Sequence, residues 1–179
     1  MIKAEIVAHS LSPQGDELIS VLCTFPRIIL AEVNTHRMLS KNTSSSRAIP
    51  FNKMVEAVQN NPFIPIAWQK EHKGMQGSEY ITDQKIIDFK TGVWLQARNE
   101  AIKRAKELNG NLSKCRSIDD CEELEGTGVT KQLCNRLLEP FMWTTMLITG
   151  SKEGWDNFHS LRNPIYEIDL DNLDKLKDV

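Results

Sequence analysis

The segment from Asp83 to Leu108 constrains the fold more than any other stretch of the chain. It holds no proline, opens on an aspartate able to cap a first turn, and ends before the helix-stopping pair "NG". Those signals predict one long helix. Ile86, Val93, Ala97, Ala101 and Ala105 run along it as a stripe of mostly small residues, suited to close packing in the core or against a second subunit. Strands share the chain with this helix. "IKAEIVAHS" and "ELISVLCTF" are rich in apolar and β-branched residues, and "SPQGD" between them supplies Pro13 and Gly15 for a turn. A short β-sheet or hairpin packed with several helices, one of them long, makes an α+β fold.

The other elements follow from local signals. Pro26 suits the first turn of a helix through "RIILAEVNTHR", in which Ile29, Val33 and His36 share a face and the last turn presents His36 and Arg37. "SKNTSSSRAIP" has no period and reads as a loop, closed by the proline that opens a helix at "FNKMVEAVQ". Residues 60–82, with Pro62, Pro65, Gly74 and Gly77, read as an ordered but irregular excursion. "CEELEGTG" is expected to be a loop, "VTKQLCNRLLEPFMWTTMLIT" helical on both sides of Pro140, and "KEGWDNFHSLR" a short helix. The acidic tail, residues 163–179, reads as peripheral. With no repeat, no low-complexity segment and no composition break, residues 1–179 are expected to form a single domain.

Composition removes several functions. A net charge of −2 over 179 residues argues against a general nucleic-acid binder, yet leaves room for a local basic site holding one small anion. No apolar run has the length of a membrane span, and the start has no secretory leader pattern. Cys23, Cys115, Cys121 and Cys134 form no CxxC pair, which suits reduced thiols in the cytosol better than disulfides or zinc. His9, His72 and His159 have no metal-ligand spacing either, so no metal is expected. The "GTG" at 126–128 lacks the third glycine and the preceding strand of a dinucleotide fingerprint, and no GxSxG elbow exists.

One stretch remains to be explained. In "THRMLSKNTSSSRAIP", residues 35–50, His36 and Arg37 precede Ser40, Asn42, Ser44, Ser45, Ser46 and Arg47. Hydroxyls, turn N–H groups and a planar guanidinium are what a phosphate calls for. The plain alternative is a solvated polar loop, because serine and asparagine favour turns. Arg136 in "KQLCNRLLEP" and Arg162 in "WDNFHSLR" stand on largely apolar helices, where a guanidinium either meets an anion or snorkels to the surface.

"THRMLSKNTSSSR" resembles the signature of the flavin-dependent thymidylate synthases: Arg-His-Arg, two residues, Ser, any, Asn, Glu, any, Ser, any, Arg. "FPRIILAEVNTHR", "SRAIP", "GM", "KQLCNRLLEP" and "WDNFHSLR" are similar to blocks of the phage-type branch, in the same order, over about residues 6–162. The resemblance implies an enzyme that makes dTMP from dUMP, with methylenetetrahydrofolate as carbon donor, FAD as carrier and NADPH as reductant. It also implies a homotetramer with shared active sites. By the resemblance, Ser45, Ser46 and Arg47 hold the dUMP phosphate, and Arg136 reaches the same nucleotide, from a neighbouring subunit in the family. Glu32 occupies the position of a glutamine that faces the nucleotide. Arg162 corresponds to the arginine that contacts the uracil ring and activates C5, the catalytic role in this set. His36, Arg37, Asn157 and Ser10 correspond to flavin-contacting residues.

The chain departs from the pattern in places. Thr35 and Thr43 replace the first arginine and the glutamate of the signature, the family's flavin segment before the second strand is missing, and "NPIYEIDLDNLDKLKDV" stands where a further helix is expected. Two other readings therefore stand beside the synthase: a dUMP-binding remnant or regulator without turnover, and a pyrimidine C5-hydroxymethylase.

Overall fold

The computed structural model describes residues 2–73, 79–110 and 128–162, with Arg162 described for its backbone alone. The "GM" block, "CEELEGTG" up to Thr127, Cys115, Cys121 and the acidic tail lie outside the described residues.

β1 (Lys3–Leu11) and β2 (Glu17–Pro26) form the expected antiparallel hairpin, with Gly15 at φ +93 in its turn, a conformation glycine adopts without strain. Arg27–Ile29 then make one 3-10 turn, and α1 (Leu30–Asn34) is only five residues long. The helix expected through Arg37 therefore ends early. Thr35 folds its hydroxyl back onto the Glu32 carbonyl at 2.6 Å, and His36 and Arg37 follow in a turn. The loop expected from Ser40 onward also begins differently, as β3 (Ser40–Thr43), which pairs with the far strand.

Pro50 caps α2 (Phe51–Asn60), whose Phe51, Met54, Val55 and Val58 fall at i, i+3, i+4 and i+7 and are all buried. The long helix, α3 (Gln84–Leu108), has the predicted ends. The Asp83 carboxylate accepts from the Lys85 and Ile86 N–H groups, and Gly110 leaves the helix at φ +84. Its stripe is less buried than a core reading requires: Ala105 is buried and Ala101 partly so, while Ile86, Val93 and Ala97 are exposed. After α4 (Lys131–Arg136) and a 3-10 turn at Glu139–Phe141, the chain becomes β4 (Trp143–Ser151). A helix was expected beyond Pro140. The residues Trp143–Thr149 alternate buried and open, and Thr144, Thr145, Ile148 and Thr149 favour a pleated surface. α5 (Lys152–Arg162) closes the described fold as expected.

The sheet is antiparallel throughout, in the order β1-β2-β4-β3, so the fold is α+β. The described residues form two apolar clusters. Met146 and Ile148, with Phe25 and Leu39, pack against Val33, Trp155 and Phe158; a second group joins α2, α3, α4 and Phe141 around Val58 and Leu138. Residues 44–49 run between the two clusters. On the other sheet face the register brings together Leu18, Ser20, Leu22 and Thr24 of β2 with Ser151, Thr149, Leu147 and Thr145 of β4. Hydroxyl pairs Ser20–Thr149 at 2.8 Å and Thr24–Thr145 at 3.0 Å cross that face, and Leu18, Leu22 and Leu147 are exposed on it.

Candidate functional site

Residues 44–49 form a turn closed by their own backbone. The Ala48 N–H donates to the Ser45 carbonyl at 3.0 Å, and the Arg47 N–H to the Ser45 hydroxyl at 3.2 Å. Polar groups beneath fix the turn in space. Asn135, fully buried on α4, donates one amide hydrogen to the Ser46 carbonyl at 2.9 Å and the other to the Ile49 carbonyl at 3.1 Å. Its own Oδ1 is buried without a partner among the described residues. At the entrance to the turn, Arg27 Nη1 donates to the Ser44 carbonyl at 3.3 Å. Ser46 is thereby buried, while Ser45 and Arg47 stay exposed.

Arg136 follows Asn135 directly, as the last residue of α4, and is exposed rather than buried mid-helix. The loop and α4 are thus joined within one chain, and two guanidiniums stand at exposed positions on the joined segments. An anion beside the turn would find hydroxyls, backbone donors and forked cations, each a charge-assisted bond of about twice the neutral strength. Beside Ile49 lies an open concavity of about 520 Å³ with Lys53, Met54, Asn60 and Trp143 in its lining; Ser45, Arg47 and Arg136 are not part of it.

A second group gathers around α5. His36 is buried and meets Phe158 edge-on, 4.8 Å between ring centroids at 67°. Residues 36–39 lie along this helix closely enough that a Cβ at Gly154 would stand 3.0 Å from the Met38 carbonyl oxygen. Lys41 donates to the carbonyls of His36 and, at 3.4 Å, Asn34, holding the turn after α1; burial lowers its ammonium pKa from the ordinary lysine value. Arg37 and Asn157 are exposed on the two segments that His36 and Phe158 bring together, and Glu32 is exposed on α1.

Ser10 does not join this group. It pairs with Leu18, and Leu18 with Ser151, so it shares the open sheet face while α5 packs on the other. Arg162 is the last residue of α5, and its side chain lies outside the described residues. Asn135, Arg27 and Lys41 were not singled out from sequence. Nothing in a local pattern marks an asparagine or arginine whose partners are carbonyls of distant residues. The one available signal was the position of Asn135 among Leu133, Cys134, Leu137 and Leu138, where a polar residue has to find internal partners.

Solved structures with this fold include a UMP/dUMP methylase, PolB, from Streptomyces cacaoi, in two forms. The form bound with 5-Br dUMP aligns with a TM-score of 0.58 at 12% identity, over 86% of this chain and 75% of that one. The form bound with 5-Br UMP aligns at 0.54 and 14%, over 89% and 76%. At such identity the likeness is one of fold. No protein-family model and no curated protein sequence matches the chain.

Proposed function

We propose that the chain binds dUMP and methylates it reductively at C5 to give dTMP, with methylenetetrahydrofolate as carbon donor and FAD and NADPH as redox partners. The observation that carries the reading is the buried Asn135, which fastens Ser46 and Ile49 to α4 and so joins the hydroxyl-bearing turn that carries Arg47 to the helix that ends in Arg136. The fold shared with a UMP/dUMP methylase supports the pyrimidine nucleotide as the anion. In this reading Ser45, Ser46, Arg47 and Arg136 hold the phosphate, and Glu32 lies on the approach to the nucleotide. Arg162 stabilises negative charge on the uracil ring and thereby activates C5.

The donor set around His36 suits a flavin in part. Arg37 and Asn157 are exposed hydrogen-bonding groups on segments locked together by the buried His36 ring, which fits the polar edge of a flavin; Ser10 fits only if another copy of the chain supplies it. The redox chemistry of the one-carbon transfer comes from FAD when it is bound. His36, Arg37 and Asn157 would hold it, and Lys41 keeps His36 and Arg37 in their turn. A homo-oligomer, in the family a tetramer, completes the reading. Its support is the apolar surface that one chain leaves open: Leu18, Leu22 and Leu147 on the sheet, and Ile86, Phe89 and Val93 on α3. Among the described residues no helix is long and apolar enough to cross a membrane, and none group into a metal site. A cytosolic location accompanies the proposal.

The test is tritium release from dUMP labelled at C5, with FAD, NADPH and methylenetetrahydrofolate present. FAD-dependent release is the expected result, and mass spectrometry of the product separates methyl from hydroxymethyl. Folded protein that binds dUMP and releases no tritium would overturn the enzyme reading in favour of nucleotide binding without turnover, which the separation of Ser10 from Asn157 favours.

A further inference from the structure

Arg27 sits where β2 gives way to the 3-10 turn, and its side chain is 10% exposed. Its guanidinium touches three separate elements. Nη1 donates to the Ser44 carbonyl at 3.3 Å and to the Thr144 hydroxyl of β4 at 3.4 Å, and Nε lies 3.3 Å from Glu139 Oε1 in the 3-10 turn after α4. The Nε–H makes no hydrogen bond to that oxygen and has no hydrogen-bond partner among the described residues, so this contact is electrostatic. Thr144 also pairs with the Thr43 hydroxyl at 3.0 Å, at the end of β3. A guanidinium this buried needs an anion, and Glu139 provides it.

We propose that Arg27 is a positioning residue for the 44–49 turn: the Arg27–Glu139 pair, through the Ser44 carbonyl, sets where the chain leaves β3 and hence where Ser45 and Arg47 meet an anion. Asn135 holds the far side of the same turn, so the turn is fastened at both ends by side-chain donors, one of them fully buried. The inference rests on the dUMP reading for what the turn holds, while the tether itself stands on geometry. Lysine in place of Arg27 keeps the charge but offers a point donor, unable to meet Ser44, Thr144 and Glu139 together.

Amide hydrogen exchange on the full chain tests this in Arg27→Lys and Glu139→Gln, alongside thermal unfolding and calorimetric titration with dUMP and deoxyuridine. The expected result is exchange about tenfold faster at the Arg47 and Ala48 amides, with α3 amides unchanged, on loss of a charge-assisted bond. The dissociation constant for dUMP rises about tenfold as well, and that for deoxyuridine, which has no phosphate, does not. Unchanged exchange at both amides in both variants would overturn the proposal, and so would faster exchange spread evenly over the chain, the mark of a purely structural residue. Should the unaltered protein bind no dUMP, the functional reading falls, and the two amides still decide the tether.

Discussion

Asn135→Ala is the sharpest test of the site, because the structure fixes each contribution to its effect. The amide makes two neutral hydrogen bonds, at 2.9 and 3.1 Å, worth about 1 kcal/mol each in net stability. Ser46 is 4% exposed, so its carbonyl gains no water when the donor goes, and that adds about 1 kcal/mol. The void adds roughly another 1 kcal/mol. Against this, the unpartnered Oδ1 disappears, returning about 1 kcal/mol. The sum is a loss of about 3 kcal/mol, a large part of the roughly 5–15 kcal/mol that holds a domain together. In urea, with a slope of about 2 kcal/mol per molar, the midpoint should fall by about 1.5 M at constant slope. Asn135→Asp should do worse at neutral pH. A buried carboxylate facing two carbonyl oxygens has its pKa raised above the unfolded value, so stability is lost as pH rises through that raised value, and the variant is mildest in acid. A midpoint shift under about 0.3 M for Asn135→Ala would refute the claim that this side chain fastens the turn.

Arg162→Ala should lower turnover by about a hundredfold or more with the helical signal intact; near-normal tritium release would remove Arg162 from the chemistry. Leu147→Lys places a charge opposite Leu22 on the open sheet face, where Leu147 is 39% exposed, and sedimentation should show the variant as a monomer beside an oligomeric parent; a monomeric parent would sink the oligomer. Partial burial raises the Cys23 thiol pKa above its ordinary value. The folded state therefore keeps this proton where the unfolded chain has lost it, and stability contributed below the unfolded value is lost as pH rises through the folded one. Alkylation of Cys23, followed peptide by peptide, should reach half its maximal rate at higher pH in the folded than in the urea-unfolded chain, and equal midpoints would contradict the burial.

Elements with strong local signals were legible in the sequence. Asp83, the proline-free run and the "NG" pair ending in Gly110 marked the ends of α3, and the Pro13–Gly15 turn marked the hairpin. Elements decided by distant partners were not. β3 is four polar residues, "SKNT", with no pattern of its own; it is a strand because β4 offers an unpaired edge. β4 follows a helix in an apolar run, and only its alternation marks the change of period. α1 stops at Asn34 because Thr35 and Lys41 take the carbonyls that another turn would have used, which no propensity foretells.

The same division runs through the site. Groups proposed to meet a ligand could be picked out because ligand chemistry selects their type: serines with an arginine in a tight run suit a phosphate, although the same residue types also suit a plain turn. Groups that shape the turn are chosen by geometry instead. Asn135 serves because two carbonyls stand within reach of one amide, and Arg27 because its guanidinium reaches both Glu139 and the Ser44 carbonyl. This separates two kinds of loss. Altering Arg47 should weaken an anion's grip on an unchanged turn, whereas altering Asn135 or Arg27 should move the turn and weaken the grip only in consequence. Exchange at the Ala48 amide distinguishes them, since it reports the turn and is silent about the guanidinium. Slow exchange with weak binding identifies a ligand contact, and fast exchange with weak binding identifies a tether.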